Sequence, residues 1–160
     1  MAKEIERKFL VKKLPDYITT QYHGTDILQG YITDSASGRQ VRVRSKGDKY
    51  YLTVKDQGFL EREEVEVELS EVQFQALWPL TQARNLRKKR FEVPHGELTI
   101  EVDVFKGKLS GLVMAEVEFE SVQQSKQLEI PAWFSKEVTQ DIHYTNSHLA
   151  SSQQIPDARL

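Results

Sequence analysis

Glu4-Ile5-Glu6-Arg7-Lys8-Phe9-Leu10-Val11, close to the start of the chain, decides how the rest is read. A period of two sets Glu4, Glu6 and Lys8 on one side and Ile5, Phe9 and Val11 on the other, the alternation of a β-strand. The polar side is unusual, with two carboxylates and an ammonium at consecutive same-side positions. Like charges two residues apart on one strand repel, so a cationic group is expected opposite them. A solvated amphipathic face is the ordinary explanation for one such strand. The sharper explanation, a site for metal and phosphate, depends on whether other strands repeat the pattern.

The 160 residues are enough for one core. Residues 1–150 are expected to form a single domain, with a polar tail over 151–160 that frays. A hydrophobic fraction of 39% beside 29% charged residues fits a soluble globular chain. The net charge of −2 argues against a general nucleic-acid binder, so any anion site must come from a local concentration of Lys and Arg. The absence of cysteine excludes disulfides, thiolate metal sites and a Cys nucleophile. No apolar run approaches the roughly 20 residues that span a bilayer. The first strand begins right after Met1-Ala2-Lys3, leaving no room for a signal peptide, so no membrane association and a cytoplasmic location are expected.

Further strands are read at Ile27–Thr33, Arg39–Lys46, Tyr50–Lys55, Glu61–Leu69, Arg84–Val93, Leu98–Phe105 and Val113–Glu120, separated by turn residues such as Ser35-Ala36-Ser37-Gly38, Gly47-Asp48 and Pro94-His95-Gly96. Residues 16–26 read as a loop or short helix. Ser70 with Gln73 has the spacing of a capping box, and Phe74, Leu77 and Trp78 then share a helical stripe that Pro79 ends. That stripe reads as core packing. Ser121 with Gln124 opens a second short helix to about Leu128, and a terminal turn or helix is expected over Asp141–Leu149.

Eight strand-like segments point to a mainly antiparallel β body with a few helices. Charges recur on one face and β-branched or aromatic residues on the other. Either the polar face meets bulk water, or the sheet closes around a polar lumen. The sorting of charge by strand favours the lumen. Arg42, Arg44, Lys46, Lys55, Lys88 and Arg90 lie on basic strands; Glu4, Glu6, Glu64, Glu66, Glu101, Asp103, Glu116 and Glu118 lie on acidic ones. A solvated face would mix signs more freely. Arg forks hold phosphate oxygens, and paired carboxylates supply the hard oxygen donors that Mg²⁺ or Mn²⁺ prefers.

Glu4-x-Glu6-x-Lys8 resembles the signature of the CYTH superfamily, the triphosphate tunnel metalloenzymes. The likeness continues through Gln29-Gly30-Tyr31, Arg42-x-Arg44, Leu52-Thr53-Val54-Lys55, Arg62-x-Glu64-x-Glu66, Lys88-x-Arg90, Glu101-x-Asp103 and Glu116-x-Glu118. It runs from Lys3 to about Leu149, and the size resembles the small bacterial members that hydrolyse inorganic tripolyphosphate. The resemblance implies an eight-stranded antiparallel β-barrel forming a hydrophilic tunnel, with a few flanking helices.

Residue by residue, it implies that Glu4, Glu6 and Glu118 are ligands of a catalytic Mg²⁺ or Mn²⁺, with Glu116 and Asp103 nearby. Glu64 and Glu66 hold a second metal or orient water. Lys8, Arg42, Arg44, Lys55 and Arg90 meet phosphate, and Arg62 pairs with phosphate or carboxylate. Lys88 falls where a water-activating lysine is kept, with Tyr31 as its positioning partner. A Lys among cations is pushed toward its neutral form, while nearby carboxylates push the other way, so base and simple phosphate contact both stay open for Lys88. His143 stands where the family often carries Arg or Lys, which would make that contact weaker or pH-dependent. His23, His95 and His148 read as loop or surface residues. The expected activity is metal-dependent hydrolysis of tripolyphosphate to pyrophosphate and phosphate. The alternatives are a class IV-type adenylate cyclase acting on ATP, a thiamine triphosphatase and a non-catalytic polyphosphate-binding module. A small-molecule triphosphate is the expected partner, and the oligomeric state stays open, a homodimer included.

Overall fold

The computed structural model describes residues 4–33, 38–56 and 64–156. Its strands are β1 (Ile5–Leu10), β2 (Gly24–Tyr31), β3 (Arg39–Lys46), β4 (Lys49–Asp56), β5 (Glu64–Leu69), β6 (Asn85–His95), β7 (Leu98–Phe105) and β8 (Val113–Phe119). They make one antiparallel sheet in the order β1-β8-β7-β6-β2-β3-β4-β5. The hairpins β3–β4 and β6–β7 turn on Gly47 and Gly96, both at φ 62°, a left-handed value that a side chain would disfavour. Strand boundaries move by a few residues from those read in the sequence. β2 starts at Gly24 and ends at Tyr31. β6 continues through Pro94, because beyond Phe91 it pairs only with β7, and the missing proline N–H falls on the unpaired side.

The expected closed barrel is a curled but open sheet: among the described residues, β1 and β5 share no ladder. The outer edge of β1 is already occupied. Leu10 N–H donates to Lys136 O at 2.8 Å, Ser135 N–H to Leu10 O at 2.7 Å and Val138 N–H to Lys8 O at 2.8 Å. With the outward backbone groups of Lys8 and Leu10 paired to this late segment, that stretch of β1 is not open to β5.

The convex face of the sheet carries the main core. Phe9, Phe91, Val93, Ile100, Val102, Ala115, Val117 and Phe119 pack under Ile18 of α1 (Asp16–Gln21) and under Phe134. Farther along, α2 (Glu71–Leu77) opens on the Ser70/Gln73 capping box and stacks Phe74 between Tyr50 and Trp78, so the aromatic stripe is indeed packing. In α3 (Val122–Lys126), Ser121 caps the Gln124 N–H, and the Gln124 side chain returns to the N–H of Glu120. No helix among the described residues is long and apolar enough to cross a membrane.

A second core sits on the same face as the charges. Leu10, Met114, Phe105 and Leu86 follow the charged residues along their strands at one end of the trough, with Tyr31 beside them. Leu149 and Ala150 of α4 (Asn146–Ser152) close over them, with Tyr144 and Val138. The C-terminal region is therefore a plug. Residues 151 and 152, expected in a frayed tail, complete its helix, and Lys108 holds Gln153 at 2.8 Å.

Candidate active site

Strand register gathers the charged side chains. Lys8 stands opposite Glu116, Glu6 opposite Glu118 and Glu101 opposite Glu116. Arg90 stands opposite Asp103, Tyr31 opposite Arg42, Thr53 opposite Glu66 and Lys55 opposite Glu64. Neighbours that face each other across a ladder point to the same side, so all of these groups line the concave face. Across the trough the order is acidic (β1, β8, β7), basic (β6, β3, and Lys55 of β4), then acidic again (β5). Arg62 lies outside the described residues.

Arg42 and Arg44 carry the clearest signal. The Nε of each is buried without a hydrogen-bond partner. A buried guanidinium N–H left unpaired is costly, which marks a place where an anion would supply the missing acceptors. Burial, then the charges of Arg42 and Arg90, pull Arg44 below the ordinary arginine value. Cations are crowded here against their own stability. Arg42 also reaches Thr53 Oγ1 at 3.5 Å, and Thr53 donates to Glu66 at 3.3 Å, linking β3 to the acidic edge strand.

Arg90 and Asp103 are brought together rather than left for phosphate and metal. Arg90 Nε and Nη2 donate to the two Asp103 carboxylate oxygens at 2.7 and 3.0 Å, and Nη1 meets Glu101 at 2.7 Å. Asp103 also accepts the Lys88 ammonium at 2.8 Å. Burial alone would raise the Asp103 carboxyl, but Lys88 and Arg90 hold it well below the usual carboxylate range. Lys88 is 2% exposed. Its amine is pulled below that of a free lysine by burial and by Arg90, with Asp103 resisting. Both tendencies foreseen for this residue are present, and desolvation wins.

Tyr31 is fixed from several sides. Gln29 Nε2 donates to its hydroxyl at 2.8 Å, and Arg84 holds the backbone oxygens of Tyr31 and Ile32 at 3.2 and 3.1 Å. The glycine between Gln29 and Tyr31 is required, since a Cβ on Gly30 would stand 2.6 Å from Thr81 Cβ. Burial raises the phenol above its ordinary value, opposed by Gln29 and Arg42.

The remaining carboxylates are less tightly assembled. Glu4 and Glu118 are exposed, as are Glu64 and Glu66. Lys8 lies 3.7 Å from Glu6, and Lys55 lies 3.8 Å from Glu64. Among the described residues, no three His, Asp or Glu side chains form a ready cage for a cation. One observation still fits a divalent metal. Burial, then the hydrogen bond and charge of Glu6, push Glu116 up to about 7, the mark of one carboxyl crowded by another between β1 and β8. A hard cation is the usual relief for such a pair, and the donor atoms are those it prefers.

The Glu116 shift predicts how stability depends on pH. Its folded pKa lies above the unfolded value of 4.5, so the folded chain binds more protons between about 4.5 and 7. That stabilisation is complete below 4.5 and lost as pH rises through 7. Thermal melts in chelator should therefore show Glu116→Gln well above the wild type at pH 8, with the gap shrinking towards pH 4.5. Coincident melts at pH 8 would contradict the raised Glu116 carboxyl.

His143 is exposed and bonded through Nδ1 to Asp141 at 2.8 Å, and its ring meets His148 edge-on. The sequence reading did not single out Asn146, whose Oδ1 lies 3.2 Å from Lys88 Nζ. A lone polar residue in a short terminal helix gives no sign of this.

The CYTH domain model matches residues 2–147. An inorganic triphosphatase of Nitrosomonas europaea is 42% identical over 151 residues, spanning 93% of this chain and 97% of its own. One of Acetivibrio thermocellus is 36% identical over 155 residues, 95% of this chain and 96% of its own. Among solved structures, the inorganic triphosphatase NE1496 superposes with a TM-score of 0.79 at 37% identity, covering 98% of this chain and 99% of that one. A Hippeastrum protein described as a putative adenylyl cyclase with dominant triphosphatase activity shares the fold, at TM-score 0.57 and 16% identity over 78% of this chain and 83% of its own.

Proposed function

This chain belongs to the CYTH domain family, and we propose from that premise that it is a divalent-metal-dependent hydrolase of inorganic tripolyphosphate. The observation that carries the reading is the pair of buried, unpartnered Nε donors of Arg42 and Arg44 on the concave face. The triphosphatase names of the two relatives that match nearly end to end support the same substrate.

In this reading Arg42 and Arg44 bind the phosphate chain, with Lys8, Lys55 and Arg62 as further contacts. Arg90 acts mainly as the counter-ion of Asp103 and Glu101, holding the acidic and basic halves in register. Glu6 and Glu116, with Glu4 and Glu118 beside them, would hold Mg²⁺ or Mn²⁺, and Glu64 and Glu66 would hold a second ion or orient water. Asp103, engaged by Arg90 and Lys88, stays a counter-ion. The bound ion supplies charge neutralisation on the phosphate oxygens. Lys88 takes the proton of the attacking water when its amine is neutral, a state favoured by its burial. Tyr31, held by Gln29, fixes the water or the terminal phosphate beside it. Pyrophosphate and orthophosphate leave. A cytoplasmic location fits a substrate of this kind.

Product analysis by ³¹P NMR tests the substrate. Tripolyphosphate should be converted to pyrophosphate and orthophosphate much faster than ATP or thiamine triphosphate is cut, and ATP should yield no cyclic AMP. Cyclic AMP as the main product would overturn the hydrolase reading in favour of a cyclase, and faster cleavage of thiamine triphosphate would reassign the substrate.

A further inference from the structure

We propose that Asn146, at the start of the C-terminal helix α4, is a positioning residue that aims the Lys88 amine at the reacting water. The proposal rests on the reading of Lys88 as the base. A lysine has four rotatable side-chain bonds, so a buried amine needs fixed partners to present one direction. Two are present: Asp103 Oδ2 at 2.8 Å and Asn146 Oδ1 at 3.2 Å. A neutral amine has two hydrogens and one lone pair. With its hydrogens given to these two acceptors, only the third tetrahedral direction is left for the lone pair. Asp103 alone would leave the amine free to turn about one bond. Asn146 removes that freedom.

Helix capping does not account for the asparagine. Thr145 is the N-cap residue, its hydroxyl accepting from His148 N–H at 3.3 Å, and Asn146 occupies the next position. The helix that carries it is firmly seated, because Leu149 and Ala150 are fully buried against Leu86, Phe105 and Tyr31. Leu86 is two residues from Lys88 on the same face of β6, and Phe105 is the ladder partner of Lys88. The Lys88 ammonium also lies 5.5 Å from the Phe105 ring centre. The plug therefore packs directly beside the base and contributes one polar atom to it.

The test is a double-mutant cycle with tripolyphosphate at saturating metal. Asn146→Ala should lower kcat by on the order of tenfold or more with KM nearly unchanged. Its melting temperature should fall modestly, because the buried Lys88 amine loses one acceptor, so the split between kcat and KM and the cycle carry the test. Asn146→Gln, which keeps the amide but displaces it by one methylene, should show the same loss. In the Lys88→Ala background, Asn146→Ala should cost nothing further, because a group acting through Lys88 has nothing left to aim. Full kcat in Asn146→Ala, or equal losses in both backgrounds, would overturn the positioning role while leaving Lys88 as the base. Wild-type kcat in Lys88→Ala would instead remove the base assignment itself, and this inference with it.

Discussion

Arg44→Ala is expected to lower kcat/KM for tripolyphosphate by on the order of 10² or more, the range for removing one donor to transition-state charge. It should leave the melting temperature equal to or above that of the wild type. Both halves follow from the same geometry. Arg44 is half-buried, with its Nε buried and unpartnered, and burial together with Arg42 and Arg90 disfavours its charge. A guanidinium held under those conditions destabilises the empty protein and becomes favourable when phosphate oxygens arrive. Arg42→Ala should behave alike, tempered by the loss of its contact to Thr53. A drop of several degrees in melting temperature with unchanged kcat/KM would mean that these arginines are structural ion-pair partners instead.

Glu6→Gln should remove most turnover, by on the order of 10² or more, while preserving the fold. Glu6 crowds Glu116 and raises its carboxyl, and a Gln in its place keeps the size of the side chain without its charge. The substitution thus spares the packing and removes only an anionic oxygen from the proposed cation site. Calorimetric titration with Mg²⁺ or Mn²⁺ should register weaker binding in the same variant. Wild-type turnover by Glu6→Gln would remove β1 from the metal site.

The strands were legible because charges and β-branched residues alternate with period two along most of them, and the concave face was legible because the charged set is sorted by strand. Closure was not. Whether β1 is free to meet β5 depends on residues 135–138, which take its edge through backbone bonds that no side-chain pattern records. The plug was hidden for a related reason. Leu10, Met114, Phe105 and Leu86 share a face with carboxylates and ammonium groups, so along any one strand they read as interruptions. Only the register lines them up under α4.

Within the site, the register sets Arg42, Arg44, Glu6 and Glu116 on the face where their alternation along the strands placed them. Arg90 and Asp103, which the resemblance gives to phosphate and to the neighbourhood of the metal, are set directly opposite one another by the ladder. A bidentate fork then satisfies both before any ligand binds. Asn146 was invisible because its importance comes from a contact spanning 58 residues of chain.

Orthophosphate release from tripolyphosphate by the purified protein, followed with Mg²⁺ or Mn²⁺ and again in excess EDTA, bears most directly on the concave face as a metal-assisted triphosphate site. Rapid release that requires the cation and is restored by adding it back is the expected result. Release at the same rate in EDTA, or none with either metal while tripolyphosphate still binds, would contradict it.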